Sequence, residues 1–198
     1  MSKREYARLS EGNWGDFKAM KVIFLDFDGV LNSETSFLYE KNRRTKLKEQ
    51  GVKGHVNETL SLHCAAAFQW VLDCYPDVKV VLSTTWRNLF TMDWLKAKLE
   101  EYHIDSSRII GKTPIDPGGN RGLEINTWLT ANPEVTHYAI IDDNDWGITS
   151  IHGTGRFVWT NWYSGMHMGH AYELKDKLSN WHKDHLDVLG KDARLPEE

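Results

Sequence analysis

The sequence predicts an α/β fold, a parallel sheet covered by helices on both faces. Three observations predict it. Short apolar runs rich in Val and Ile recur along the chain, each run ends in small polar or acidic residues, and segments of helical period separate them. Strands buried on both faces read as near-continuous apolar runs, and right-handed crossovers between parallel neighbours place the connecting helices on the two faces. At 198 residues the chain suits one domain, 1–198, with room for no more than a small insert.

The elements follow in order. Residues 21–25 are apolar and end at Asp26, and Asp28-Gly29 stops the strand. From Asn57, the expected N-cap, a helical period puts Leu60, Cys64, Ala67, Phe68, Val71, Leu72 and Tyr75 on one face until Pro76 ends it. Residues 78–82 form a second apolar β-branched run, closed by Ser83, Thr84 and Thr85. Thr91 can cap a helix carrying Trp94, Leu95, Leu99 and Tyr102, and residues 121–130 read as a short helix packing Ile125, Trp128 and Leu129. Residues 138–141 make a third strand ending in acid, and residues 156–160 a fourth. A last helix sets Ala171, Leu174, Leu178 and Trp181 on one side. No repeat or low-complexity tract interrupts the alternation.

Bulk composition narrows the function classes. Hydrophobic residues at 40% and charged residues at 26% are ordinary globular usage, so the chain folds. A net charge of -4 argues against wholesale wrapping of nucleic acid and leaves a local basic patch open. Cys64 and Cys74 lie ten residues apart on one expected helix, where they cannot easily bridge, and both are expected reduced and buried. The first ten residues hold Lys3, Arg4, Glu5 and Arg8 with no apolar stretch behind them, so a cytoplasmic location is expected, with no membrane partner. Nine tryptophans are many for this length; core packing accounts for most, and indole also stacks on bases.

The chemistry concentrates at the strand ends, where an open parallel sheet binds its ligands. Strand one delivers Asp26-Phe27-Asp28-Gly29, strand two Ser83-Thr84-Thr85, and strand three Asp142-Asp143. Four carboxylates are expected to meet near one hydroxyl cluster. Crowded carboxylates need a cation, and an oxygen-only set without Cys or His suits Mg²⁺, which also binds phosphate oxygens. One carboxylate can then attack phosphorus. Period two along an extended segment puts Asp26 and Asp28 on one side, so one can attack while the other moves a proton. Asp-x-Asp-Gly and Asp-Asp are also ordinary turn sequences, but turn preference does not explain their placement at successive strand ends.

Residues 24–32, Phe-Leu-Asp-Phe-Asp-Gly-Val-Leu-Asn, resemble the first motif of the haloacid dehalogenase (HAD) superfamily. Val81-Leu82-Ser83-Thr84 resembles its second motif and Ile140-Ile141-Asp142-Asp143 its fourth, so the likeness spans residues 21 to about 162 in the family's order. The resemblance implies a three-layer Rossmann-like fold and a Mg²⁺-dependent phosphatase. It implies Asp26 as nucleophile, and Asp28 as general acid/base that also offers a carbonyl to the metal. Asp142 and Asp143 would be the remaining metal-binding acids, and Ser83 or Thr84 would hold the phosphoryl group. The third motif wants a cation, with Arg121 in Arg-Gly-Leu-Glu-Ile the first candidate and Lys112 the second; arginine departs from the more usual lysine. An Asp at position 28 favours phosphatase over dehalogenase chemistry.

The remaining motifs bear on the substrate. Residues 33–56 have the length of a small cap insert, and from 41 to 53 Lys41, Arg43, Arg44, Lys46, Lys48 and Lys53 face only Glu49. This run is either a solvated charged face or a guide for a polyanion. Arg87 lies where it could fork onto a phosphate, and Trp86, Trp146 and Trp162 could stack a base, although packing is the commoner role of each. Trp86-Arg87, Arg121 to Ile125 with Trp128, and Asp142-Asp143 are together similar to the small phosphatase domains of RNA-repair proteins and phage polynucleotide kinase/phosphatase. That likeness implies a nucleotide or a nucleic-acid 3′-phosphate end as substrate, and a bacterial or phage-infected host cell as setting. A small-metabolite (sugar phosphate type) phosphatase and a non-catalytic nucleotide- or protein-binding module are the alternatives. Salt separates polymer from monoester, because a phosphate-rich polymer loses affinity steeply as ionic strength rises. His167 with His170, and His182 with His185, have i,i+3 spacing but no third partner, so zinc is not expected.

Overall fold

A computed structural model of the chain describes residues 20–49 and 59–179. Five strands, β1 (Met20–Leu25), β2 (Lys79–Leu82), β3 (Ile109–Lys112), β4 (Val135–Asp142) and β5 (Phe157–Trp159), form one sheet in the order β3-β2-β1-β4-β5. Every pairing is parallel. The helices are α1 (Glu34–Glu49), α2 (Leu62–Cys74), α3 (Met92–Glu101), α4 (Arg121–Ala131), α5 (Ile148–His152) and α6 (Met168–Ser179). This is the three-layer Rossmann-like α/β architecture expected.

The alternation of side chains along each strand divides the core in two. Ile23, Leu25, Val80, Leu82, Ala139, Ile141 and Val158 face α2, α3 and α6, against Phe68, Leu72, Leu95, Leu99 and Leu174. Val22, Phe24, Val81, Ile140 and Phe157 face the other way, onto Ile125 of α4 and Ile148 of α5. Each fully buried side chain of this size contributes about 1.5–3 kcal/mol, so the strands have a strong reason to stay in register. Strand order reverses between β1 and β4, which makes their carboxyl ends the crevice of an open α/β sheet.

Several local expectations change. The helix expected from Asn57 starts at Leu62, where Ser61 is the N-cap and accepts from the Cys64 amide; Asn57 lies outside the described residues. Cys64 is buried and free, but Cys74 is half-buried, because it ends the helix at the rim of the core. Strand β3 was not expected. Gly111 and Lys112 shorten its apolar run, and it is an edge strand with a register shift against β2. Five-residue α5 is equally illegible, too short to show a period. Thr91 caps α3 as expected, with its hydroxyl accepting from the Trp94 amide. Trp181 lies outside the described residues. No helix among the described residues is long and apolar enough to cross a membrane.

Candidate active site

Backbone pairing runs one residue beyond the strands and so fixes what stands at their tips. Asp26 N donates to Ile141 O at 3.1 Å, Ser83 N to Leu25 O at 2.8 Å, and Thr160 N to Asp142 O at 3.0 Å. The nucleophile candidate and the acid pair are therefore held by adjacent strands. Carboxylate oxygens of Asp26, Asp142 and Asp143 lie within 4.8 Å of one another. Asp26 and Asp142 are buried, at 5% and 1% exposure, and Asp143 is half-buried. Gly29 allows this approach: its φ is 68°, and a Cβ there would lie 2.2 Å from Asp143 Oδ2.

Three carboxylates meet, not the four expected. Asp28 is turned aside by two donors, Asn32 Nδ2 at 2.8 Å on one oxygen and Trp86 Nε1 at 2.9 Å on the other. Its side chain is thus outside the group of three and is held as a separate, oriented carboxylate. Neither geometry bears on its backbone carbonyl.

Electrostatics explain why such a group needs a partner. Two full charges at this spacing repel by about 3 kcal/mol at an effective dielectric near 20. Burial pushes the Asp26 carboxyl well above the usual carboxylate range, and the neighbouring Asp142 pushes it further. Burial also pushes Asp142 up to about 7, against the pull of the Arg121 guanidinium. Asp143 is raised by burial first and by Asp28 second. A hard divalent cation fits this donor set, since all its ligand atoms are oxygens and the cation would offset both the desolvation and the repulsion.

Arg121 is the cation placed among these acids. It opens α4, behind the N-cap Asn120, and its Nη1 lies 3.4 Å from Asp26 Oδ1 and 3.5 Å from Asp142 Oδ2. Lys112, the other candidate, is exposed at the end of β3 and donates to Arg87 O at 3.1 Å. Of the two hydroxyls, Thr84 is engaged as the cap of a 3₁₀ turn at Thr85–Asn88, where its Oγ1 accepts from Trp86 N. Ser83 Oγ is buried and has no hydrogen-bond partner among the described residues.

Two expected substrate contacts are corrected. Arg87 is buried: its Nη2 pairs with Glu124 Oε2 at 2.6 Å and also donates to Pro114 O, while Nε donates to Thr113 O and Nη1 to Thr84 O. A guanidinium so occupied is not free to fork onto a phosphate. Trp86 is 6% exposed and packs against Phe27, Phe90 and Trp94, so its face cannot take a base; its role is the bond to Asp28. Trp162 is half-buried against Phe37, and Trp146 is exposed. Residues 34–49 of the basic insert form α1, with Lys41 and Lys46 exposed, while the side chains of Arg43, Arg44 and Lys48, and Lys53 altogether, lie outside the described residues. The first turn of α1 is tied down by Glu34 N on Trp162 O at 2.8 Å. His167 and His170 set their rings 3.9 Å apart at a tilt of 36° and join no metal-ligand group among the described residues.

Sequence reasoning missed Glu124. It is buried, accepts from Asp116 N at 3.0 Å, and lies between Arg87 and Arg121 Nε, the latter at 3.5 Å. Its i,i+3 spacing from Arg121 was visible, but its burial was not.

A parallel sheet with an aspartate at the tip of its central strand, an acid pair on the neighbouring strand and an arginine between them defines the class of haloacid dehalogenase-like hydrolases. The chain belongs to the family described as the HAD domain in Swiss Army Knife RNA repair proteins, which matches residues 22–171. Membership implies a phosphatase-type hydrolase. No curated protein matches the chain. Among solved structures it is similar to the HAD domain of effector protein Lem4 from Legionella pneumophila, at 19% identity and a TM-score of 0.46, over 88% of this chain and 96% of that one. It is also similar to a haloacid dehalogenase-like hydrolase from Streptococcus pneumoniae, at 14% identity and a TM-score of 0.40, over 87% of this chain and 98% of that one.

Proposed function

We propose that the chain is a Mg²⁺-dependent phosphomonoesterase that works through phosphorylation of Asp26 and acts on nucleotides or nucleic-acid 3′-phosphate ends. The observation that carries this reading is the convergence of Asp26, Asp142 and Asp143 within 4.8 Å, with Arg121 against two of them. Those three carboxylates, with the backbone carbonyl of Asp28, would hold the ion. Bound there, Mg²⁺ supplies charge neutralisation for the phosphate oxygens.

The chain's own residues divide the remaining work. Arg121 and Ser83 Oγ hold the non-bridging phosphate oxygens. An Asp26 oxygen bonds to phosphorus as the ester P–O bond breaks, and the departing alkoxide takes its proton from Asp28. Asp28 then removes a proton from water, whose oxygen bonds to phosphorus while the P–O bond to Asp26 breaks. Inorganic phosphate leaves and Asp26 is restored. Trp86 and Asn32 keep the Asp28 carboxylate oriented for both proton transfers. Membership in an RNA-repair family and the basic run of α1 support a nucleotide or a strand end as substrate.

Asp26→Asn is isosteric and removes the nucleophile. Turnover of an aryl phosphate in Mg²⁺ is expected to fall roughly a thousandfold or more, with an unchanged circular dichroism spectrum. Retained turnover would end the Asp26 assignment. A panel of 3′- and 5′-phosphorylated nucleotides, oligonucleotides and sugar phosphates, read as released phosphate, tests the substrate class. Preference for a sugar phosphate would move the reading to a small-metabolite enzyme.

A further inference from the structure

Two exposed tryptophans belong to the segments that carry or pair with the acid pair, Trp146 three residues after Asp143 and Trp159 opposite Asp142. Trp159 is 57% exposed and Trp146 53%. Trp159 ends β5 in register with Asp142 of β4, and strand alternation puts it on the sheet face shared by Asp142 and Asp26. Strands lie about 4.8 Å apart, so the Trp159 backbone stands one strand from Asp142 and two, about 10 Å, from Asp26. Its Nε1 donates to Asp143 O at 2.9 Å, which ties the ring to the loop that carries the acids.

Trp146 lies on that same loop. It holds a φ of 39°, which a bulky side chain rarely adopts, and strain of this kind persists only where its surroundings over-determine it. Those surroundings are on hand. Asn144 N donates to Asp142 Oδ1 at 2.9 Å, and Thr149 N donates to Asp145 Oδ1 at 2.7 Å. Gly122 N, next to Arg121, donates to Trp146 O at 3.3 Å. The loop is pinned at both ends while its indole is left in solvent.

We propose that Trp146 and Trp159 form a stacking subsite for the nucleobase next to the scissile phosphate. The inference rests on the phosphomonoesterase reading and specifies its leaving group. The subsite adjoins the metal-binding acids and offers π-faces, with no charge of its own to read a base edge, so it would accept any base.

The test compares esters with and without a base. Trp146→Ala and Trp159→Ala are expected to raise KM for a nucleoside 3′-phosphate or a 3′-phosphorylated oligonucleotide by roughly tenfold each, the size of one lost base–aromatic stack. KM for glycerol phosphate, which has no ring, is expected to change less than about twofold, and Trp→Phe at either position to restore most of the loss. Equal losses on both esters, or no loss on the base-bearing ester, would overturn the subsite. Trp146 lies outside both core clusters, so its variant keeps the test open should Trp159→Ala fold poorly. If the unaltered protein does not hydrolyse nucleotide esters at all, the substrate reading fails. If it prefers them but both Ala variants keep that preference, the subsite alone fails.

Discussion

Single residues in this site are constrained from two directions at once. Gly29 shows it best: its φ of 68° favours glycine, and the space for a Cβ is filled by the Asp143 carboxylate, with Cγ at 2.4 Å. Gly29→Ala is expected to lower stability by about 1–2 kcal/mol through the backbone alone. It must also displace Asp143, so the Mg²⁺ concentration for half-maximal activity should rise about tenfold. Metal titrations of the variant check this; an unchanged requirement would remove Asp143 from the metal group. Asp28 and Trp86 are constrained in the same way. The motif singled out Asp28 by resemblance, but only its bonds to the Trp86 indole and the Asn32 amide show what holds it.

Among the elements, α4 joins the fold to the chemistry. Asn120 caps it with Oδ1 on Leu123 N at 3.0 Å, Gly122 passes so close to Gly147 O that a Cβ would lie 2.4 Å away, and Arg121 thereby faces the acids. One turn on, Glu124 joins Arg121 to Arg87, a buried string of alternating charges. Glu124→Gln leaves Arg87 buried without its counter-charge, so urea unfolding should report a loss of about 3 kcal/mol. The kcat should also fall, because Arg121 loses its support, and Glu124→Asp should retain more of both. Full stability in Glu124→Gln would show that the pair contributes little. β1, β2, β4, α3 and α4 were legible in the sequence because their apolar periods are long and their caps are local. β3 and α5 were not, since a four-residue edge strand and a five-residue helix are specified by their neighbours.

At the scale of the whole molecule, the sheet forces acids together and pH reports the strain. Without metal, the folded carboxyls of Asp26, Asp142 and Asp143 hold protons more tightly than in the unfolded chain, Asp142 with a pKa near 7. The folded state therefore binds more protons between about pH 4 and pH 7, and these groups make stability fall as pH rises through that window. Mg²⁺ bound to the three carboxylates, as proposed, would compete with those protons, so its stabilisation should grow over the same window. Melting temperatures in chelator and in Mg²⁺ at about pH 5 and about pH 7.5 check this. A Mg²⁺-induced rise no larger at the higher pH would contradict the coupling, and Asp142→Asn should weaken it. The sequence by itself determined four of the five described strands, the acidic and hydroxyl tips of β1, β2 and β4, and the family, because short-range patterning and motif residues are written along one dimension. Only the tertiary structure decided that three carboxylates meet and the fourth turns to Trp86, that Arg87 is occupied, and that Trp146 and Trp159 stay exposed. Those outcomes depend on which strands become neighbours and which side chains reach a common point, and burial and distance exist only once the chain has packed.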